Sequence, residues 1–151
     1  MRGWLLDTNV VSELARPQPA PQVLDWLRGL YPERTFVSVL TLAEIDQGIE
    51  ALPADDPRRK QYGIFRNRIE ADFAGRVLSL DDEVLRLWGV ISGRYRLAAG
   101  NRAPVIDTML IATAQYQRLH LATRNVKDVR RLGWSVFDPW SDDPTNFPVQ
   151  P

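Results

Sequence analysis

Trp4-Leu5-Leu6-Asp7-Thr8-Asn9-Val10-Val11-Ser12-Glu13-Leu14 decides the fold. Its first three residues are a short apolar run without polar alternation, as in a strand buried on both faces. The run ends on an acid. Thr8 or Asn9 can then cap a helix carrying Val10, Val11, Glu13 and Leu14. The same unit recurs along the chain. Thr35-Phe36-Val37-Ser38 reads as a second buried strand, followed by a helix from about Val39 to Leu52. Val77-Leu78-Ser79-Leu80 is a third strand, and Asp81 can cap the helix carrying Val84, Leu87, Trp88 and Ile91. Val105 to Gln117 is a helix that is apolar almost all round, which places it centrally. His120-Leu121-Ala122 is a fourth strand and Ser135-Val136-Phe137 a fifth candidate. Two more helices fill the gaps. One carries Val23, Leu24, Trp26, Leu27 and Leu30 and is closed by Pro32; the other carries Tyr62, Phe65, Ile69 and Phe73. Short strands alternating with helices predict an α/β fold with a mostly parallel sheet covered on both faces.

A chain of 151 residues is one domain's worth and buries a core without staples. We expect residues 1–140 to form that domain. Residues 141–151 belong to a stretch that carries four prolines from Asp138 onward and reads as a Pro-rich tail packed on the surface or partly disordered. Lysine plus arginine number 19 and aspartate plus glutamate 19, so the formal net charge is zero. That balance argues against holding a polyanion by bulk charge, although a local basic groove remains open. There is no cysteine and one histidine, His120. A thiolate zinc site, a disulfide scaffold, a cysteine nucleophile and a multi-histidine metal site are thereby excluded. Acid–base or metal chemistry must come mainly from carboxylates. No signal-peptide core and no membrane-length apolar run is visible, so the expected compartment is the cytoplasm.

In open parallel sheets, ligands bind beyond the carboxyl ends of the strands. Asp7 follows the first strand directly, and Glu44 lies six residues after the second. Asp107 lies near the start of the apolar helix, and Asp128 six residues after the fourth strand. Alone, Asp7 reads best as a helix cap and Glu44 as a solvated helix residue. Asp107 reads equally as a helix-dipole partner, and Asp128 equally as a first-turn acid of a short helix over Val126 to Leu132. The constellation is stronger than its members. Each acid adjoins apolar sequence, where unpaired carboxylates are costly, and gathered like charges raise one another's pKa. A divalent cation removes both penalties, and hard oxygen ligands select Mg²⁺ or Mn²⁺.

Four blocks in this order resemble the PIN-domain ribonucleases, and among them the VapC-type toxins of the FitB-like branch. They are Leu5 to Leu14, Ser38 to Ile45, Ile106 to Ala114, and Leu121 to Asp128. The resemblance runs from residue 4 to about 140. It implies a three-layer fold with about five parallel strands. It implies Asp7, Glu44 and Asp107 as catalytic acids holding Mg²⁺, or Mn²⁺, with Asp128 the remaining acid. Thr8, Asn9 and Ser12 are implied as polar supporters. Asn125, where many relatives carry an aspartate, is implied as a neutral ligand or substrate contact beside Thr123 and Arg124. The implied activity is metal-dependent cleavage of RNA. The implied partners are a VapB-type antitoxin, RNA and a second copy of the chain.

Arginine supplies 17 of the 19 cations and pairs bidentately with phosphate. Arg124, inside the fourth block, is the best single phosphate contact. Arg58-Arg59-Lys60 with Arg66 and Arg68 reads as a solvated helix face, and Arg94, Arg96 and Arg102 as the same by a smaller margin. Trp4, Trp26 and Trp88 read as core; Trp134 and Trp140 are undecided between core and base stacking. His120 reads as structural. Competing readings are a 5′-nuclease-like enzyme acting on DNA, a silent interaction module, and a phosphatase-like hydrolase. The small chain without an arch, the retained acids, and the missing second acid after Asp7 weigh against them in turn.

Overall fold

A computed structural model describes residues 1–126 and 130–150. Five parallel strands form one sheet in the order β3-β2-β1-β4-β5. The strands are β1 (Trp4–Leu6), β2 (Thr35–Ser38), β3 (Val77–Leu78), β4 (His120–Ala122) and β5 (Val136–Phe137). The helices are α1 (Thr8–Ser12), α2 (Pro21–Arg28), α3 (Val39–Glu50), α4 (Arg58–Asp72), α5 (Asp82–Ala99) and α6 (Val105–Tyr116). β1 is central: Trp4 lies opposite Thr35 on one side and His120 on the other.

Successive strand residues point to opposite faces, and both faces of β1 are buried. Leu5 packs with Val84 and Ile91 of α5, Leu110 and Ile111 of α6, and Leu121. Trp4 and Leu6 face the other layer, with Val10 and Val11 of α1, Ile69 of α4, Phe73 and Phe137. This explains the unbroken apolar triplet. The two ends of the sheet are shorter than expected. Only Val77 and Leu78 pair at β3, although Leu80 also packs against the core.

Of the three residues the sequence offers as caps, Asp7, and not Thr8 or Asn9, is the N-cap of α1, accepting from the Thr8 N–H. Asp81 caps α5 as expected through the Val84 N–H at 2.9 Å. Gly100 ends α5 at φ 72°, a left-handed turn that glycine adopts without a Cβ penalty. Helix α2 stops at Arg28, four residues before Pro32, which instead opens a 3-10 turn. His120 is structural: Nδ1 meets Ser135 Oγ at 2.5 Å, and Nε2 donates to the Pro148 carbonyl at 3.1 Å. The C-terminal residues are thereby tied down. Phe147 and Val149 pack on the Trp4 cluster, and Pro144–Asn146 forms a 3-10 turn despite the prolines. Among the described residues, no helix is long and apolar enough to cross a membrane.

Candidate active site

The sheet order reverses between β1 and β4, because the chain leaves β1 toward β2 and returns across to β4. Such a switch point opens a crevice at the strands' carboxyl ends. Asp7 ends β1 there, 5% exposed, and its backbone N–H bonds Ala122 of β4 at 3.0 Å. Its carboxylate accepts three hydrogen bonds. The Thr8 N–H donates to Oδ1 at 2.6 Å. The Asn9 amide at 2.8 Å and the Thr123 hydroxyl at 2.6 Å donate to Oδ2. Thr123, which follows β4, also receives the Asn125 N–H at 3.1 Å. Asn9 reaches the same loop, accepting the Arg124 N–H at 3.2 Å.

Helix α3 carries Glu44 to this crevice. Ser38 caps the helix by accepting the Leu40 N–H at 3.2 Å, while Thr41, Leu42 and Ile45 are buried. Glu44 therefore falls half-buried at the edge of the packed stripe, where Oε2 accepts the Thr8 hydroxyl. Helix α6 carries Asp107 in its first turn, half-buried. The start of α6 is fixed to α5 by Trp88 Nε1, which donates to Thr108 Oγ1 at 3.0 Å.

Asp7 feels the charges of the other two acids. Burial pushes the Asp7 carboxyl up from 3.8 to about 6. The Thr123 hydroxyl and Thr8 N–H oppose that rise, while the charges of Glu44 and Asp107 add to it. This is a carboxylate oriented by fixed donors yet short of positive charge. Among the described residues, no three acidic or histidine side chains stand close enough to make a ready ligand group on their own. The donor set nevertheless suits Mg²⁺, which is bound through one or two carboxylates and keeps several waters or substrate phosphate oxygens.

Ser12 lines a cavity of about 360 Å³ with Thr8, Glu44, Ile45, Tyr62 and Phe65, which places this supporter on the Glu44 side of the crevice. The Asn125 side chain is exposed. Residues 127–129 of the expected short helix, Asp128 among them, lie outside the described residues; its last three, Arg130–Leu132, form a 3-10 turn and not an α-helix. Two buried acids carried no weight in the sequence reading. Glu13, 2% exposed, accepts the Ala20 N–H at 2.6 Å and closes the turn into α2. Asp138, 8% exposed, follows β5 and accepts the Trp140 N–H at 2.9 Å. An aspartate two residues before an N–H is the signal of such a turn.

The arginine clusters separate. Arg58, Arg59, Arg66 and Arg68 are paired with Asp56, Glu50, Asp46 with Glu70, and Asp72 respectively. Among the described residues, Arg94, Arg96, Arg102 and Arg124 make no ion pair within 4 Å. Trp4 and Trp26 meet edge to face at 5.1 Å, which confirms both as core.

A family model described as PIN domain matches residues 4–134. The chain is 34% identical to toxin FitB of Neisseria gonorrhoeae, over 91% of this chain and 99% of that protein. It is 32% identical to VapC ribonuclease Y4jK of Sinorhizobium fredii, over 90% and 96% of the two chains. A solved structure of FitAB bound to an IR36 DNA fragment superposes with a TM-score of 0.82 at 32% identity, covering 93% of this chain and 97% of that one.

Proposed function

Because this chain belongs to the PIN-domain family, we propose that it is a Mg²⁺-dependent endoribonuclease and the toxin of a toxin–antitoxin pair. One observation carries the reading: a buried carboxyl at the sheet's switch point is raised to about 6, with Glu44 and Asp107 facing it. A structural cap would gain nothing from two further acids. The relatives named toxin and ribonuclease support the same reading.

In this reading Asp7, Glu44 and Asp107 would hold Mg²⁺, or Mn²⁺, together with waters or substrate oxygens, and Asp128 would complete the acidic set. When bound, the ion lowers the pKa of a coordinated water and neutralises charge on the scissile phosphate. The chain's own residues do the rest. Thr8, Asn9 and Thr123 fix the Asp7 carboxylate in one orientation, so it needs no rearrangement when substrate arrives. Glu44 is held by the Thr8 hydroxyl, and whichever carboxylate is left spare by the ion, Glu44 or Asp128, accepts the proton of the attacking water. Arg124 and Asn125 meet the RNA backbone at the β4 side. The cavity next to Glu44, with its Tyr62 and Phe65 wall, receives the tail of a VapB-type antitoxin. The toxin works in the cytoplasm as a homodimer.

The test is incubation of the protein with RNA, with and without Mg²⁺. Metal-dependent cleavage that disappears in Asp7→Asn is expected. Cleavage in excess chelator, or an Asp7→Asn variant as active as its parent, would overturn the reading.

A further inference from the structure

Arg124 is held at two points. Its backbone N–H donates to Asn9 Oδ1 at 3.2 Å, and the Asn9 amide bonds Asp7. Its exposed guanidinium lies over the Trp140 ring, with the carbon 5.1 Å from the ring centre. The ring is itself anchored. The Trp140 N–H donates to Asp138 Oδ1, and the Trp140 carbonyl accepts the Gln22 amide at 3.0 Å. Its apolar edge packs on the Phe137 cluster. Asp138 is fixed in turn by the Ser141 hydroxyl at 3.0 Å. A buried acid, a turn and a half-buried indole thus converge beneath one exposed cation.

A guanidinium is planar, with its N–H donors in the plane. An aromatic ring that takes its face leaves the N–H edge for a phosphate, whereas a carboxylate partner would consume that edge. No carboxylate among the described residues pairs with Arg124, in contrast to the paired arginines of α4.

We propose that Trp140 is a positioning residue for the RNA backbone: it holds Arg124 flat so that the guanidinium edge grips a phosphate next to the acidic crevice. The inference rests on the nuclease reading for the identity of the substrate. It assigns Trp140 to the substrate side of the site and not to base stacking.

Binding of a labelled single-stranded RNA in Mg²⁺ tests it, read in an Asp7→Asn background so that cleavage plays no part. Trp140→Leu keeps apolar bulk and loses the π face; about 3- to 10-fold weaker binding is expected. The slope of log affinity against log salt should fall by about 0.7, one single-strand phosphate contact. Arg124→Ala should lower the slope equally, and the double variant should be no worse than Arg124→Ala alone. Arg124→Lys, which cannot stack flat, should resemble Trp140→Leu, and Trp140→Phe should retain most of the affinity. Melting curves identify any variant that fails to fold, and Trp140→Phe with Arg124→Lys then decides the matter. Unchanged affinity and slope in Trp140→Leu would overturn the proposal, as would losses that simply add in the double variant. Parent protein that binds RNA with this pattern but never cleaves it would overturn the nuclease reading alone.

Discussion

Asp7 and Asp138 stand at corresponding places in the same sheet. Each directly follows a parallel strand, and each is buried, at 5% and 8% exposure. Their surroundings differ. Asp138 follows the edge strand β5 and is satisfied within its own turn by Trp140 and Ser141. The nearest acid in that turn, Asp142, is neutralised by Arg130. Asp7 follows the central strand, takes donors from α1 and the β4 loop, and feels the charges of two acids carried by α3 and α6. A strand-end acid is thus not a site by itself. The switch point sets Asp7 apart, because separate elements there bring further acids within electrostatic reach of it.

The largest effect should come from exchanging these roles. Asp7→Asn keeps an acceptor for the Thr8 N–H but loses the charge. RNA cleavage should fall about 1,000-fold or more, the scale of losing a central electrostatic group. Asp138→Ala should leave kcat within a few-fold and cost about 1–3 kcal/mol of stability by orphaning the turn's donors. Cleavage assays and thermal melts on both variants check the pair. An inactive, fully stable Asp138→Ala would erase the distinction.

The pH dependence of stability sharpens it. In metal-free protein the folded Asp7 carboxyl binds its proton more tightly than in the unfolded chain, about 6 against 3.8. Its contribution is fully present below pH 3.8 and is lost as pH rises through about 6. At 1.36 kcal/mol per pH unit, this window is worth about 3 kcal/mol. Urea melts between pH 4 and 7 should show that loss in the parent and not in Asp7→Asn. A parallel loss in both would mean that another group titrates. Thr123→Val removes a donor from the Asp7 carboxylate and should move the window upward, at a cost of about 1.5–3 kcal/mol at neutral pH. A window that stays in place or moves down would show that this hydroxyl does not help to hold the charge.

The contrast between the two acids also marks what the sequence makes legible. β1, β2 and β4 are read residue by residue, because buried apolar runs bounded by polar residues have one interpretation in an α/β chain. The edges are less legible: Ser79 and Leu80 have strand-like character, but pairing there depends on a neighbour that the local pattern does not name. Asp7, Glu44 and Asp107 emerge from their order along the chain. Asp138 does not, because a turn-closing aspartate in a Pro-rich stretch looks like tail until its donors are placed. Likewise the i,i+4 partners of Arg66 and Arg68 are written locally in Glu70 and Asp72, whereas Asp46 reaches Arg66 from another helix.

The smallest effect tests whether pairing separates idle cations from working ones. Arg68 is exposed on α4 and pairs with Asp72 at 3.5 Å. Such surface pairs are worth about 0–1 kcal/mol. Arg68→Ala should therefore shift stability little and leave the salt slope of RNA binding unchanged, since its charge is already balanced. Arg102 lies in the loop leading into α6, five residues before Asp107, with no ion pair among the described residues. Arg102→Ala should lower the slope by about 0.7 if one phosphate contact is lost. Equal slopes in the two variants would mean that RNA senses the total charge and not its pairing. A zero net charge could then no longer be reconciled with binding through a few free arginines around an acidic crevice.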